Sequence, residues 1–372
     1  MQSPPLPPLA REFWHAGVRA ASPAALLASL PWPTLPPRPL ADYRRVTVVG
    51  AGKAAMAMAG AAERALAGHA APTAHRRGAV TVPHGYPAAF PPDAPPPRGV
   101  LVREAAHPVP DAAGVAAADE ALALCADSGE GDLVVALVSG GGSALWPAPP
   151  AGVTLDDLRA TSALLLASGA AIAGVNAVRK HLSRVAGGRL AAAAAPAHVL
   201  ALVLSDVTGD DPAVVAGGPT AADPTTFADA AAVLHAHGLW GRVPNAVRAH
   251  LAAGRDGRAA ETVKPGDPAL AGVRTRVVGT NADALAGAAA VPLLLHLLRR
   301  RIGTRVEFPA ARFLLRAEQE HSSRLRLRNW LLMALRVLAV VLVALAAARP
   351  LAELPGTGRA PGAVVVVLDN SL

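Results

Sequence analysis

Six short runs of apolar, largely β-branched residues constrain this chain more than any other feature: 46–49, 79–82, 100–102, 133–138, 199–204 and 273–278. Helix-patterned stretches separate several of them, from the glycines at 50 and 52 to about Leu66, then over 112–125, 155–167, 188–195 and 227–237. A strand that is apolar on every residue must be covered on both faces, so the pattern predicts an α/β fold: a Rossmann-like, largely parallel sheet with helices on both sides. In such sheets ligands bind beyond the carboxyl ends of the strands. The polar motifs of this sequence sit at those ends.

Four segments are expected. Residues 1–40 form a Pro/Ala-rich lead-in with a short helix around Arg11 to Leu30, 41–288 the α/β domain, 289–349 a basic region with hydrophobic helices, and 350–372 the start of a further domain. Charge separates them. The net charge of +8 arises wholly within 291–349, which holds eleven arginines and three glutamates, while the rest has equal numbers of acidic and basic residues. A neutral body with a basic, apolar segment points to a membrane surface. With aromatics at 3%, nucleic acid is not the expected partner. Residues 330–348 read WLLMALRVLAVVLVALAAA, about 28 Å as a helix against a bilayer core of about 30 Å. Six Leu and four Val there favour insertion by about 3–6 kcal/mol in total, against about 2.5–3.5 for Arg336. Residues 284–298, with a Pro and a His, fall short of a usual span. The single Cys125 excludes an intramolecular disulfide framework and suits a cytoplasmic location. The N-terminus lacks the basic and apolar regions of a signal peptide, and none is expected.

The chemistry concentrates in a few motifs. VVGAGKAAM (48–56) is a strand, a turn with Gly50 and Gly52, and a helix start bearing Lys53, a place where backbone N–H groups and a point charge favour an anion. A purely structural tight turn is the alternative. Only three lysines (53, 180 and 264) occur among 35 basic residues, so a lysine at 53 is unusual for this sequence. In LVVALVSGGGSALW (133–146) a strand runs into Ser139, Gly140, Gly141, Gly142 and Ser143, a candidate phosphate cradle or, alternatively, a flexible loop. NAVRKHLSRVAGGRL (176–190) places Asn176, Arg179, Lys180, His181, Arg184 and Arg189 around a helix–turn–helix, as ligand contacts or as a solvated basic face. VLSDVTGDDPAVVAGGPT (203–220) ends a strand with Ser205 and Asp206, followed by Asp210, Asp211, Gly218 and Thr220; Asp206 and Asp210 suit Mg2+, and ordinary turn aspartates are the competing reading. His84 and His107 follow strand-like runs without metal-ligand spacing.

Taken in order, GAGKAAMAMA, VTVPHGY, EAAHPVPD, SGGGSALW, NAVRKHLSRVAGGRLA, LSDVTGDDPAVVAGGPTAADPTT and VVGTNADAL resemble the N-terminal domain of the glycerate 2-kinase family over about residues 8–288. The resemblance implies ATP-dependent phosphorylation of D-glycerate to 2-phosphoglycerate with Mg2+. It implies Lys53 and Asp206 as catalytic residues, the 139–143 loop on phosphate, and Asp206 and Asp210 in the acidic motif. It also implies a second lobe with a catalytic arginine, which the sequence after Ala290 does not resemble, so impaired turnover is expected.

Residues 291–372 are similar instead to the N-terminal membrane region of the aerotolerance-regulator (BatA-like) family, and AVVVVLDNSL resembles the start of a von Willebrand A-type domain, with Asp369 and Ser371 in its metal motif. If both apolar segments spanned, the arginine-rich loop would be cytoplasmic and the kinase-like domain outside, away from ATP. One span at 330–348, anchoring a cytoplasmic domain to the inner membrane, reconciles the two. The stretch 281–301 therefore reads as a seam, produced by gene fusion, frameshift or misassembly. A membrane-anchored regulatory or ligand-binding protein without turnover is the alternative function. A nucleotide-dependent dehydrogenase is a third, disfavoured because 50–56 lacks the full dinucleotide fingerprint.

Overall fold

The computed structural model describes residues 8–69, 75–89 and 96–299, together with Leu331, Leu335 and Leu338. The chain divides into units 1–302 and 303–372. The expected membrane span at 330–348 and the von Willebrand-like start at 350–372, with Asp369 and Ser371, lie outside the described residues apart from those three leucines.

The first unit opens with α1 (Pro8–Ala20) and α2 (Pro23–Ala28). Pro23, which has no N–H to donate, starts the second helix, so two helices replace the single one expected. Then follow β1 (Arg45–Ala51), α3 (Ala55–His69), β2 (His75–Pro83), α4 (Tyr86–Ala89), β3 (Leu101–Ala105), α5 (Ala112–Ala126), β4 (Asp132–Ser139) and α6 (Gly142–Leu145). The chain continues through α7 (Leu155–Ala167), α8 (Ile172–His181), α9 (Arg189–Ala194), β5 (His198–Leu204), α10 (Phe227–Ala236), α11 (Asn245–Arg255), β6 (Val273–Gly279) and α12 (Asn281–Arg299).

All six strands form on the six apolar runs, pair in parallel, and lie in the order β3-β2-β1-β4-β5-β6. This is the doubly wound order, whose direction reverses between β1 and β4. Period-two alternation sorts the central strands: Val46, Val48, Leu133, Val135, Leu200 and Leu202 face a core with α2 and α3, while Val49, Val134, Ala136, Val199 and Ala201 face a core with α5 and α9. Leu27, Trp32 and Leu40 join the first core with Tyr43, so the described part of the lead-in contributes to it as well as leading into β1.

A separate helical layer forms from α7, α8, α10 and α11 around Leu165, Val178, Phe227, Leu234 and Leu251. Thr154 with Asp157 and Thr226 with Asp229 make reciprocal capping boxes that start α7 and α10. At the other end, Asp283 accepts from Thr280 N at 2.8 Å and donates its own N–H to Thr280 Oγ1 at 3.3 Å, which starts α12. Close helix contact follows: Gly17 of α1 lies against Ala284, and Gly287 of α12 against Ala16 and Ala20. Among the described residues no helix is long and apolar enough to cross a membrane, and this includes α12 over the shorter apolar segment at 284–298.

Candidate functional site

The register β1–β4 pairs Arg45 with Asp132 and Ala51 with Val138, so the loops after both strands leave the sheet side by side at the switch point. They lock together. Gly52 sits at φ +137°, and a Cβ there would overlap Ser139 Oγ. Lys53 N donates to Gly140 O (2.9 Å), Ala54 N to Ser139 Oγ (3.1 Å), Gly52 N to Thr81 O (3.2 Å) and Ala55 N to Gly52 O (3.1 Å). The first loop therefore has no N–H from 52 to 55 left for an anion. Its contribution is the exposed Lys53 side chain, whose backbone the bond to Gly140 O holds beside the second loop.

The second loop supplies the cradle. Among the described residues no acceptor meets the N–H groups of Gly141, Gly142 and Ser143. A run of unbonded amides at a helix start is the kind of geometry that can form an anion-binding concavity. Around it stand three side chains: a Cβ at Gly140 would overlap the Asp206 carboxylate, and one at Gly141 would lie 3.0 Å from the His107 ring and 3.5 Å from Lys53 Cγ. Behind it, Ala216 at φ +53° sets its Cβ against Gly142. That left-handed alanine is a strained conformation held by its surroundings. Gly187 N donates to Gly217 O (3.0 Å) and Gly188 N to Gly218 O (2.8 Å), which fixes the turn.

Two clefts flank the loop. The smaller, about 210 Å³, is bordered by Lys53, Ser139, Ser205, Asp206, Thr280 and Asn281 among mostly apolar walls that include Ala21, Leu204 and Ala284. The larger, about 390 Å³, lies between the loop and the helical layer and is bordered by Ser143, Asn176, Arg179 and Lys180 among mostly apolar walls. Arg179 and Lys180 differ sharply. Lys180 Nζ is 3.3 Å from Asp223 Oδ1, with the two side chains 9% and 0% exposed. Burial alone would raise the Asp223 pKa, but hydrogen bonds from Thr225 and the Lys180 charge hold it below the usual carboxylate range. Arg179 is half-buried, has no carboxylate partner among the described residues, and its pKa is pushed down by burial.

The structure thus brings Gly50, Gly52, Lys53, the 139–143 loop, Ser205 and Asp206 together, with Asn176 and Arg179 across the loop. Others fall elsewhere. His181 is buried, 2.7 Å from Ala177 O and 3.0 Å from Glu261, and lines neither cleft. Gly218 and the buried Thr220 belong to the supporting turn. Arg184 pairs with Asp119, and Arg189 donates to Lys180 O and Ser183 O, both at 2.8 Å. His84 Nε2 lies 2.8 Å from Asp111. Burial alone would raise Asp111, yet His84 and the Gly114 amide hold it low. Asp210 sits at φ +53° in the loop after β5 and does not line the small cleft; among the described residues no group of three His, Cys, Asp or Glu is placed to hold a metal. One carboxylate beside a phosphate cradle does suit Mg2+ that arrives on a nucleotide, because that ion keeps water and phosphate ligands and needs only one or two carboxylates.

Sequence reasoning gave little weight to His107 and, though it quoted the motifs that contain them, singled out none of Thr280, Asn281 and Ala216. The TN pair directly after β6 was the legible signal, since it stands at a strand's carboxyl end.

Fold and loops together define a doubly wound α/β protein with a glycine-rich loop of unbonded amides, a lysine and a strand-end carboxylate at its switch point. The chain belongs to the family described as a domain of unknown function, DUF4147, whose model matches residues 9–252. The model of the aerotolerance regulator N-terminal region matches residues 280–350. Similar proteins include a putative hydroxypyruvate reductase of Agrobacterium vitis, 42% identical over 80% of this chain and 61% of that protein. Another is the glycerate 2-kinase of Pyrococcus horikoshii, 40% identical over 59% of this chain and 47% of the relative. The crystal structure of the glycerate kinase of Thermotoga maritima superposes with a TM-score of 0.63 at 34% identity, covering 77% of this chain and 62% of that one. The chain spans about half the length of most of the curated relatives it matches.

Proposed function

We propose that this chain carries the nucleotide- and substrate-binding unit of a glycerate 2-kinase, transferring phosphate from ATP to D-glycerate in the cytoplasm. The observation that carries the reading is the junction of Lys53, the open amides of 141–143 and the Asp206 carboxylate around one loop. Phosphoryl transfer needs positioning and charge neutralisation more than covalent chemistry by the protein. In the proposed step, the 2-hydroxyl oxygen of D-glycerate bonds to the γ-phosphorus and the bond from that phosphorus to the β–γ bridging oxygen breaks, leaving ADP. Asp206 accepts the hydroxyl proton. Lys53 and the loop amides offset charge on the transferring oxygens. Mg2+ arriving on the nucleotide would supply further charge neutralisation; one Asp206 carboxylate oxygen would hold it, leaving the other to take the proton. Asp210, outside the small cleft, is left to the loop.

Turnover by this 372-residue chain is proposed to be slow, because it matches only 47% of the Pyrococcus kinase. Calorimetry with ADP–Mg2+, D-glycerate and NADH tests the reading. Binding of the first two and not of NADH supports it; binding of NADH alone would move the assignment to the reductase named among the relatives.

A second reading rests on the match at 280–350: residues 289–349 attach the chain to a membrane through 330–348. Recovery of the full chain only in the supernatant after cell fractionation would remove it.

A further inference from the structure

We infer that the outer side of the pair formed by α1 and α12 docks on an anionic lipid surface, with Trp14 and Val18 as its apolar contacts and Arg11 and Arg19 as its charged ones. This rests on the membrane reading and adds to it a second contact, made by a helix at the opposite end of the chain from 289–349. The first helix has two distinct sides. Ala16, Gly17 and Ala20 meet Ala284, Gly287 and Ala288 of α12. At about 100° per residue, Arg11, Trp14, His15 and Val18 form one stripe on the opposite side, and all four are exposed.

Trp14 is 65% and Val18 49% exposed, whereas the other described tryptophans, Trp32, Trp146 and Trp240, are buried or half-buried. An indole on the water side of a helix whose other side is already packed adds nothing to the core, and its amphipathic ring suits a membrane interface. Arg11 and Arg19 flank it, with Glu12 the one acidic residue of α1, so basic charge borders an apolar stripe as it does in helices that lie on anionic bilayers. The two helices run antiparallel, because Ala21, just past α1, borders the small cleft with Asn281 and Ala284 at the start of α12. The first turns of α1 therefore lie beside the second half of α12, at the end of the pair farther from Lys53 and Asp206. That half reads PLLLHLLR and continues into Arg300 and Arg301, and the aerotolerance-regulator match covers it. Apolar and basic residues from both ends of the described unit are thus gathered away from the candidate site.

The test uses the full chain as Val18→Cys carrying an environment-sensitive nitrobenzoxadiazole label, with Asp256→Cys, exposed at the end of α11, as the control; the single native thiol, Cys125, is buried. Each labelled chain is reconstituted with vesicles of phosphatidylcholine alone or of phosphatidylcholine with phosphatidylglycerol, floated on a density gradient, and read by its emission and by quenching with brominated lipid. The expected result is a blue shift and quenching of the label at 18 in the phosphatidylglycerol vesicles and neither response at 256. Both responses at 18 should be lost in Trp14→Glu and in the double variant Arg11→Glu, Arg19→Glu, with circular dichroism unchanged. A chain that floats while its label at 18 stays in water would overturn the docking surface and leave the membrane reading intact. So would a label at 18 already blue-shifted without vesicles, the sign of a second copy or of the chain's own residues on this face. An equal response in phosphatidylcholine alone would overturn the assignment to anionic lipid. Failure of the chain to float with either vesicle would overturn both readings.

Discussion

At the scale of single residues, neighbouring cations do different work. Lys180 and Asp223 form a buried pair, so Lys180→Ala leaves a carboxylate in the interior and should cost about 3–5 kcal/mol of unfolding free energy by urea denaturation. Arg179→Ala removes no ion pair among the described residues and should change stability by less than about 1 kcal/mol. The sequence set Arg179, Lys180 and His181 in one basic cluster; the α-helical step of about 100° per residue, invisible in a linear string, turned them to different surroundings. Lys53→Ala should lower turnover by about 100-fold or more with the fold intact by circular dichroism, because its exposed side chain starts out beside the 139–143 loop. Lys53 was legible as a rare lysine in an arginine-rich chain. What its flanking glycines do was not: they lock to the 139–140 loop through hydrogen bonds that join segments far apart in sequence. Cys125 is fully buried and burial pushes its thiol up to about 12, so it should resist iodoacetamide at about pH 8 in the folded protein and react only on unfolding.

At the scale of elements, the strands were the most legible part, since double-sided burial writes a continuous apolar run into each one. α11 escaped notice because it is polar on most of its surface and buries little beyond Val247 and Leu251. The break between α1 and α2 needed only Pro23, whereas the pairing of α1 with α12 joins opposite ends of the described unit and leaves only small residues as a trace. Gly287→Leu should force α1 from α12 and cost about 1–3 kcal/mol, while Gly68→Ala, in open space on α3, should add about 0.5–1; paired urea titrations measure both. The helical layer also contributes to the acid response. Burial holds the imidazole of His250 below its usual pKa, with its Nε2 3.0 Å from His181 O. The unfolded chain therefore takes up its proton first, and stability, full above about pH 6.5, falls as pH drops below that value. Below about pH 4 the low pKa values of Asp223 and Glu261 add a second loss as those carboxylates protonate. His250→Gln should flatten the upper part of the slope in unfolding free energy between about pH 5 and 6.5.

At the scale of the whole molecule, two resemblances meet in one helix. The stretch 281–291 begins with the Thr280–Asp283 cap, packs against α1, and places Asn281 beside Thr280 in the small cleft, yet the aerotolerance-regulator match already starts at 280. The change in sequence texture near 290 was plain to read. The pairing of this stretch with α1 was not, because the contacts at 284, 287 and 288 are made by alanines and glycines common to both textures. The central claim is phosphoryl transfer to D-glycerate, and single-turnover phosphorus NMR tests it most directly, with the full chain in excess over ATP, Mg2+ and D-glycerate. The account predicts a phosphomonoester resonance coupled to the proton on carbon 2, appearing as the γ-phosphate signal fades and lost in Lys53→Ala. An unchanged γ-phosphate signal over the lifetime of the folded protein would contradict it.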